Sequence, residues 1–370
     1  MRMIITVPWG ERLGGAEGML QGILDGAKDS GHEIELIFFR DGPWPGELRA
    51  AGLRAEVIDA GRLREGHRWL RTVLQLRRVY ATRKPDLILN WSAKTHLYSA
   101  PAAMLAGMSD RLLWWQQAIP EPLGWLDRCA TLLPARAVGC YSGPAAAAQK
   151  RVFPGRRTFV VNAGSPPPPP GTGPATIELP DDGIPIVGLV GRLQPWKGQD
   201  RLLRAQALLH ERGQRFHMLI VGGDSWGLSP DYAASLPRLA EELGLTGSVT
   251  MTGEVPDAGP YVERMDVLVN ASDPEPFGIV LLEAMARGVA VLAVNSGGPS
   301  EFLSDGETGV LARSGAPADL ADGLQKLLES ADLRERLAAA GRDSYLRDYT
   351  DTALQKRFYA TVEDLLVNGS

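Results

Sequence analysis

SDPEPFGIVLLEAMARGVAV, residues 272–291, sets two carboxylates, Glu275 and Glu283, eight positions apart across a strand-to-helix turn. The run DVLVN at 266–270 has the apolar character of a buried parallel strand, and 277–287 has helical periodicity. Glu275 is therefore expected in a loop at the carboxyl end of a strand, where open α/β sheets bind ligands. Gly278 leaves room for close backbone approach, and the free N–H groups of the first helical turn would face an anion. Glu283 falls on the same helix side as Ile279, which aims it back toward that crevice. Carboxylates beside an anion hole suit a ligand that has both hydroxyls and phosphate. A sugar nucleotide is such a ligand.

Three other stretches extend this reading. VGLVGRLQPWKGQD, 187–200, reads as a buried strand ending at Gly191, then Arg192 and Lys197 five residues apart, then a helix from about Gln199. Cations at a helix start oppose the macrodipole, which disfavours a merely structural role. The two are expected to converge on one point, Arg as a planar fork and Lys as a point charge, where a leaving diphosphate develops negative charge. At the amino end the strand 3–7 breaks into PWGERLGGAE, 8–17, before a helix of about fourteen residues. A glycine pair there lets the main chain approach a phosphate or sugar. It is not the G-x-G-x-x-G fingerprint, which disfavours a nicotinamide dehydrogenase. The glycines of VNSGGPSE, 294–301, and GETGVL, 306–311, support the fold more than the site.

The run EPFGIVLLEAMARG, 275–288, resembles the signature of the retaining GT-B glycosyltransferases of family 4, the glycosyl transferases group 1, whose two glutamates are separated by seven residues. The resemblance extends over nearly the full chain and is sharpest over 187–311. It implies an α/β GT-B fold, two Rossmann-like doubly wound parallel-sheet domains facing each other across a cleft. It also implies transfer of a sugar from a nucleoside diphosphate sugar, UDP first and GDP next, to a hydroxyl acceptor that is a saccharide, lipid-linked or a natural product. Carried over residue by residue, Glu275 and the backbone of Phe277, Gly278 and Ile279 hold the donor sugar, and Glu283 holds the ribose. Arg192 and Lys197 stabilise the departing diphosphate, while Gly14 and Gly15 contact the phosphate side with Glu17 supporting their turn. No D-x-D motif occurs, so the resemblance implies metal-independent transfer without a cofactor, the two cations acting in place of a divalent ion.

The chain departs from that family at one place. LLWWQQAIP, 112–120, puts Gln117 where the family commonly has a histidine. An amide cannot act as acid or base, but it donates and accepts hydrogen bonds and would orient sugar or acceptor. His96, after the strand 86–90, either lines the same cleft or is a packed residue. Two alternatives stay open: a catalytically silent nucleotide-binding protein of the same fold, and a sugar-nucleotide epimerase.

Composition sets the remaining bounds. The 370 residues are long enough for two domains, with 22% charged and 44% apolar side chains as in ordinary soluble proteins. A net charge of -5 argues against nucleic acid as a partner. No secretory signal is read at the start, and the apolar stretch 97–108 is too short to span a bilayer and reads as a buried helix. Cys129 and Cys140, without metal-ligand spacing, are expected as small buried hydrophobes in a reducing cytoplasm. Alternating strand and helix signals give a first domain over 1–165, a proline-rich linker over 166–183 and a second domain over 184–349, with a helix near 350–370 crossing back to the first. The segment 62–84 carries eight basic residues against Glu65, with Trp69, Val73, Leu76 and Tyr80 as an apolar stripe. It is expected to be a helix covering the sheet; the second reading is a peripheral contact with anionic lipid on the inner face of the membrane.

Overall fold

The computed structural model describes residues 1–12, 14–27, 29–120, 124–169 and 183–367. It divides into two compact units, the first comprising Met1–Ala163 and the chain from Asp351 onward, the second Gly164–Thr350. Most of the expected linker, 170–182, lies outside the described residues.

The first unit is built on seven parallel strands: β1 (Arg2–Val7), β2 (Glu33–Phe38), β3 (Arg54–Val57), β4 (Leu87–Asn90), β5 (Leu112–Gln116), β6 (Ala137–Cys140) and β7 (Thr158–Val160). Their order is β3-β2-β1-β4-β5-β6-β7. Met3 pairs with both Ile34 and Leu87, so β1 lies between β2 and β4, where the strand order reverses. The central strands are almost wholly buried because helices cover both faces, hence their continuous rather than alternating apolar runs. These helices are α1 (Gly15–Asp25), α2 (Pro43–Ala50), α3 (Gly66–Arg83), α4 (Ala93–Leu105), α5 (Trp125–Leu132) and α6 (Gly143–Val152). The stripe of α3 faces inward: Val73, Leu76 and Tyr80 enter the core with Ile4 and Ile37. Trp69 Nε1 donates to the Leu97 carbonyl at 3.2 Å, and the Tyr80 and Ser99 hydroxyls lie 2.7 Å apart.

The second unit has six parallel strands, β8 (Ile186–Val190), β9 (His217–Val221), β10 (Val249–Met251), β11 (Val267–Asn270), β12 (Ala290–Val294) and β13 (Val310–Ala312), in the order β10-β9-β8-β11-β12-β13. Its helices are α7 (Gln199–Glu211), α8 (Pro230–Glu242), α9 (Gly259–Val262), α10 (Ile279–Ala286), α11 (Pro299–Phe302), α12 (Pro317–Glu329) and α13 (Ala331–Asp348). Leu202, Leu209, Leu320 and Leu324 close its core over Val187, Val269 and Leu292. The last helix, α14 (Asp351–Val367), packs on α1: Gln355 Nε2 donates to the Gly22 carbonyl at 2.8 Å and Tyr359 Oη to that of Ile23 at 2.7 Å.

One expectation, the burial of Cys129, needs correction, and two details of the second unit have no counterpart in the sequence reading. Residues 317–348 form two helices and not one, because Ser330 leaves helical geometry and its hydroxyl accepts from Leu333 N at 3.1 Å, capping α13. The short β13 had no sequence signal beyond its three residues. Cys140 is buried but Cys129 is exposed, since it lies on the outward side of α5. Among the described residues no helix is long and apolar enough to cross a membrane.

Candidate functional site

The site in the second unit forms where β8 lies between β9 and β11, the point of strand reversal at which such sheets bind ligands. After β8 the chain is held against β9: Gly191 N donates to the Val221 carbonyl at 2.9 Å and Leu193 N to that of Gly223 at 3.0 Å. A Cβ on Gly222 would collide with the Gly191 carbonyl, so the two turns meet only with glycine at 222. The chain then makes a single tight turn over Pro195–Lys197 and enters α7 through Gly198, at φ 76°. A side chain at 198 would also stand 2.6 Å from the Ala271 carbonyl. This close crossing delivers Lys197 to the loop after β11.

There, Lys197 Nζ lies 3.0 Å from Glu275 Oε2 and 4.0 Å from the centre of the Trp196 ring. Asn270, the last residue of β11, donates through Nδ2 to the same Oε2 at 3.2 Å, and Ser272 N donates to Asn270 Oδ1 at 3.0 Å. Glu275 is only 6% exposed. Burial works to raise its carboxyl, but the Lys197 ammonium and hydrogen bonds from Lys197, Ser272 and Asn270 outweigh burial and hold it below the usual value. Its backbone is clamped as well, the carbonyl accepting from Gly298 N at 2.8 Å. A Cβ on Gly298 would strike Phe277 Cα and stand 2.7 Å from the Pro276 carbonyl.

Phe277 is buried with its ring centre 5.0 Å from that of Phe302. Gly278, at φ 96°, starts α10, so Ile279 and its neighbours offer first-turn N–H groups. Glu283 is half-buried on that helix. Desolvation, with Asp257 adding to it and Arg287 opposing, pushes its carboxyl up to about 7. Arg287 Nη1 donates to the Glu283 backbone carbonyl at 3.0 Å; no hydrogen bond to the Glu283 carboxylate occurs among the described residues. Arg192 is half-buried, and its guanidinium has no ion-pair or hydrogen-bond partner among the described residues. Lys197 thus engages Glu275 rather than standing beside Arg192 as a second unpaired cation.

In the first unit Gly14 and Gly15 are exposed at the start of α1. Glu17 is buried and accepts from Trp9 Nε1 at 3.1 Å, which ties that loop to the helix. Gln117 is half-buried and its amide donates to the Trp91 carbonyl. His96 is wholly enclosed: Asn90 Nδ2 donates to its Nδ1 at 2.9 Å, and its ring stacks on Trp114 at 5.7 Å. Burial, with Arg156 adding to it and the Leu133 carbonyl opposing, brings its pKa down to about 3. It is a neutral packed residue with no surface for a ligand, the second of its two sequence readings. Asn270 escaped the sequence reading, although a polar residue ending an apolar strand was a signal for it. Among the described residues no group of three or more His, Cys, Asp or Glu is placed to hold a metal ion.

Residues 176–344 match the family model described as Glycosyl transferases group 1. Over 177 residues the chain is 39% identical to D-inositol 3-phosphate glycosyltransferase of Stackebrandtia nassauensis, covering 46% of this chain and 39% of the relative. It is 31% identical over 180 residues to the lipopolysaccharide core biosynthesis glycosyltransferase LpsE of Rhizobium meliloti, covering 49% and 50%. The chain therefore spans half or less of the length of these curated relatives. Among solved structures it is similar to Anabaena Alr3699/HepE in complex with UDP and glucose, at TM-score 0.82 and 23% identity over 98% of this chain and 99% of the other. Sucrose-phosphate synthase from Thermosynechococcus elongatus gives TM-score 0.77 and 19% identity over 99% of both chains. At such identities these likenesses carry the fold alone. Residues 176–344 are a glycosyl transferases group 1 domain, in a chain with the two-sheet GT-B fold.

Proposed function

We propose that the chain moves a sugar, with retention at the anomeric carbon, from a nucleoside diphosphate sugar to an acceptor hydroxyl. The observation that supports this best is the desolvated Lys197–Glu275 pair at 3.0 Å, on the loops after β8 and β11, the first of which also carries the unpaired Arg192. A buried ion pair is a poor source of stability. A fixed cation and carboxylate at the strand reversal of an α/β sheet instead suit a ligand of diphosphate and hydroxyls.

In the transfer, the bond from the anomeric carbon to the diphosphate oxygen breaks and its electron pair leaves on the diphosphate. Arg192 and Lys197 hold that charge; an ammonium has three donors, and one directed at Glu275 leaves two for phosphate oxygens. The acceptor oxygen bonds to the anomeric carbon on the same face, and its proton passes to the departing phosphate oxygen. No side chain is then required as base, which makes Gln117 compatible with turnover. Glu275, kept ionised, accepts from the sugar hydroxyls, with the backbone of Phe277, Gly278 and Ile279 beside it. Glu283 accepts from the ribose, and Gly14 and Gly15 bring main chain to the phosphates. Neither metal nor cofactor is required in this scheme.

UDP is the nucleotide proposed first, in keeping with the HepE complex, and GDP next. The relatives' names differ in acceptor and choose none. A reducing cytoplasm is the proposed setting, in which both cysteines stay free thiols. The test is thermal stabilisation of the purified chain by UDP, GDP, ADP, dTDP and NAD, followed by transfer assays with the matching sugars. A nucleotide at a hundred times its dissociation constant adds roughly 2.7 kcal/mol to the folded state. Stabilisation by one nucleoside diphosphate and retained anomeric configuration in the product are expected. Stabilisation by none of them removes the donor site and the reading with it.

A further inference from the structure

The loop after β3, together with α4 and α5, leaves a groove of about 940 Å3 within the first unit, inside the roughly 300–1,000 Å3 range of small-molecule sites. Its wall is apolar, formed by Trp69, Leu97, Pro101, Leu132 and Leu133. Trp125 and Leu132, which also line it, are 65% and 73% exposed. Large apolar side chains left in water along a concave wall mark a binding surface. The charge at its rim has one sign. Arg62 and Arg64 line the groove and are exposed, and neither guanidinium makes a hydrogen bond or ion pair among the described residues, although Glu65 accepts from Arg62 N at 3.2 Å and feels its charge. Glu65, between them in the chain, is paired with Arg68 at 3.0 Å. Asp127 of α5 is held by the Gln116 amide at 3.3 Å, and burial raises its carboxyl while that hydrogen bond opposes.

From this juxtaposition we propose that the groove binds an anionic amphiphile, its apolar part against Trp69, Trp125 and Leu132 and its phosphate or carboxylate on Arg62 and Arg64. Guanidinium forks match such groups in a two-point contact. The groove is concave and of single-molecule size, which favours one dissolved ligand over a membrane surface. Its assignment as the acceptor of the sugar rests on the transferase reading; the binding itself does not.

Cys129 lines the groove and is exposed, whereas Cys140 is buried, so a maleimide reports on the groove alone. The rate of Cys129 modification is measured on the full chain without nucleotide, with octyl phosphate, decyl phosphate or decyltrimethylammonium, each below its micelle concentration. Decyl phosphate is expected to protect Cys129, with half-protection at about tenfold lower concentration than octyl phosphate, from two more buried methylenes. The trimethylammonium compound of the same chain length is expected to bind about tenfold more weakly, and Arg62→Glu/Arg64→Glu to reverse that order. Absence of protection by decyl phosphate, or an unchanged order in the double variant, overturns the proposal. Protection by phosphatidylglycerol vesicles but by no dissolved amphiphile overturns it in favour of a membrane contact. A Cys129 that is unreactive until Leu132→Asp is introduced overturns it in favour of a second copy of the chain. UDP stabilisation on the same samples separates the two readings: protection without it keeps the groove and removes the acceptor role, and UDP stabilisation without protection removes the groove alone.

Discussion

Above β8 and β11 the second sheet ends in an ion pair and an open cation, while above β1 and β4 the hydrogen bonds of Thr6, Asn90 and Gln117 join neutral groups, with the buried Glu17 and the half-buried Lys94 on the helices that follow. On the charged side Lys197 meets Glu275 at 3.0 Å, Arg192 is unpaired and Glu283 titrates near neutrality. On the neutral side Thr6 Oγ1 donates to Asn90 Oδ1 at 2.7 Å, Asn90 donates to an uncharged His96, and Gln117 donates to the Trp91 carbonyl. Both places are the strand reversal of a parallel sheet, so topology alone sets where a ligand sits. The loop residues decide what charge it meets. A diphosphate calls for fixed cations, whereas a hydroxyl is oriented by groups that do not compete for its proton.

Removing charge from the second unit tests this contrast most sharply. Lys197→Ala is expected to cut transfer at least about a hundredfold, the usual cost of one preorganised charge contact. It also leaves Glu275 buried without its cation, a loss of up to about 3–5 kcal/mol. The sign follows from linkage. In the unaltered chain the depressed Glu275 pKa contributes stability above the carboxyl's unfolded value, lost as pH falls through the folded one. In the variant only the Ser272 and Asn270 hydrogen bonds still oppose burial, so stability should fall as pH rises. A denaturation series from pH 5 to 8 showing no such slope would argue that the pair is not desolvated.

Arg192→Ala is expected to lower transfer by about a hundredfold as well, but with an unchanged melting temperature because its guanidinium holds nothing in the protein. A large loss of stability would show that Arg192 is structural. Glu283→Gln comes next. A carboxyl raised to about 7 from 4.5 destabilises the folded state increasingly across that window. The variant should gain about 1–3 kcal/mol at pH 8, the lower figure allowing for partial exposure, and nearly nothing at pH 4. Equal melting shifts at both pH values would remove the burial argument. The smallest effect is expected on the neutral side, where Gln117→Ala loses one hydrogen bond, about 1 kcal/mol, and less than about tenfold in transfer. If its loss in transfer matched that of Lys197→Ala, the contrast between the two sheets would collapse.

Much of this was legible beforehand. The strand at 267–270 stands where the apolar run 266–270 placed it, because a strand covered on both faces leaves a continuous signature. Gly278 reads as a place of close approach, and it has backbone that only glycine adopts easily. The break at Ser330 was hidden because good helix formers flank it, and a serine states its role as a cap only once the backbone bends. Cys129 was misplaced because one thiol in a helix of mixed periodicity does not reveal which side faces the core. The role of Asn270 was hidden because a hydrogen bond to Glu275 depends on how the loop returns over the strand end.

By itself the sequence determined the alternation of strands and helices, the spacing of the two glutamates and the presence of two cations after an apolar strand. These are local properties, carried by side-chain periodicity and by residues within a few turns of one another. Only the tertiary structure decided that Lys197 is bound to Glu275, 78 positions away, while Arg192 is left open. It also decided that His96 is sealed beneath Trp114, and that two arginines stand unpaired over an apolar groove. Such outcomes depend on which loops the packed sheet brings within 3–4 Å and on what water is excluded there, and neither distance nor desolvation is written in any local stretch of chain.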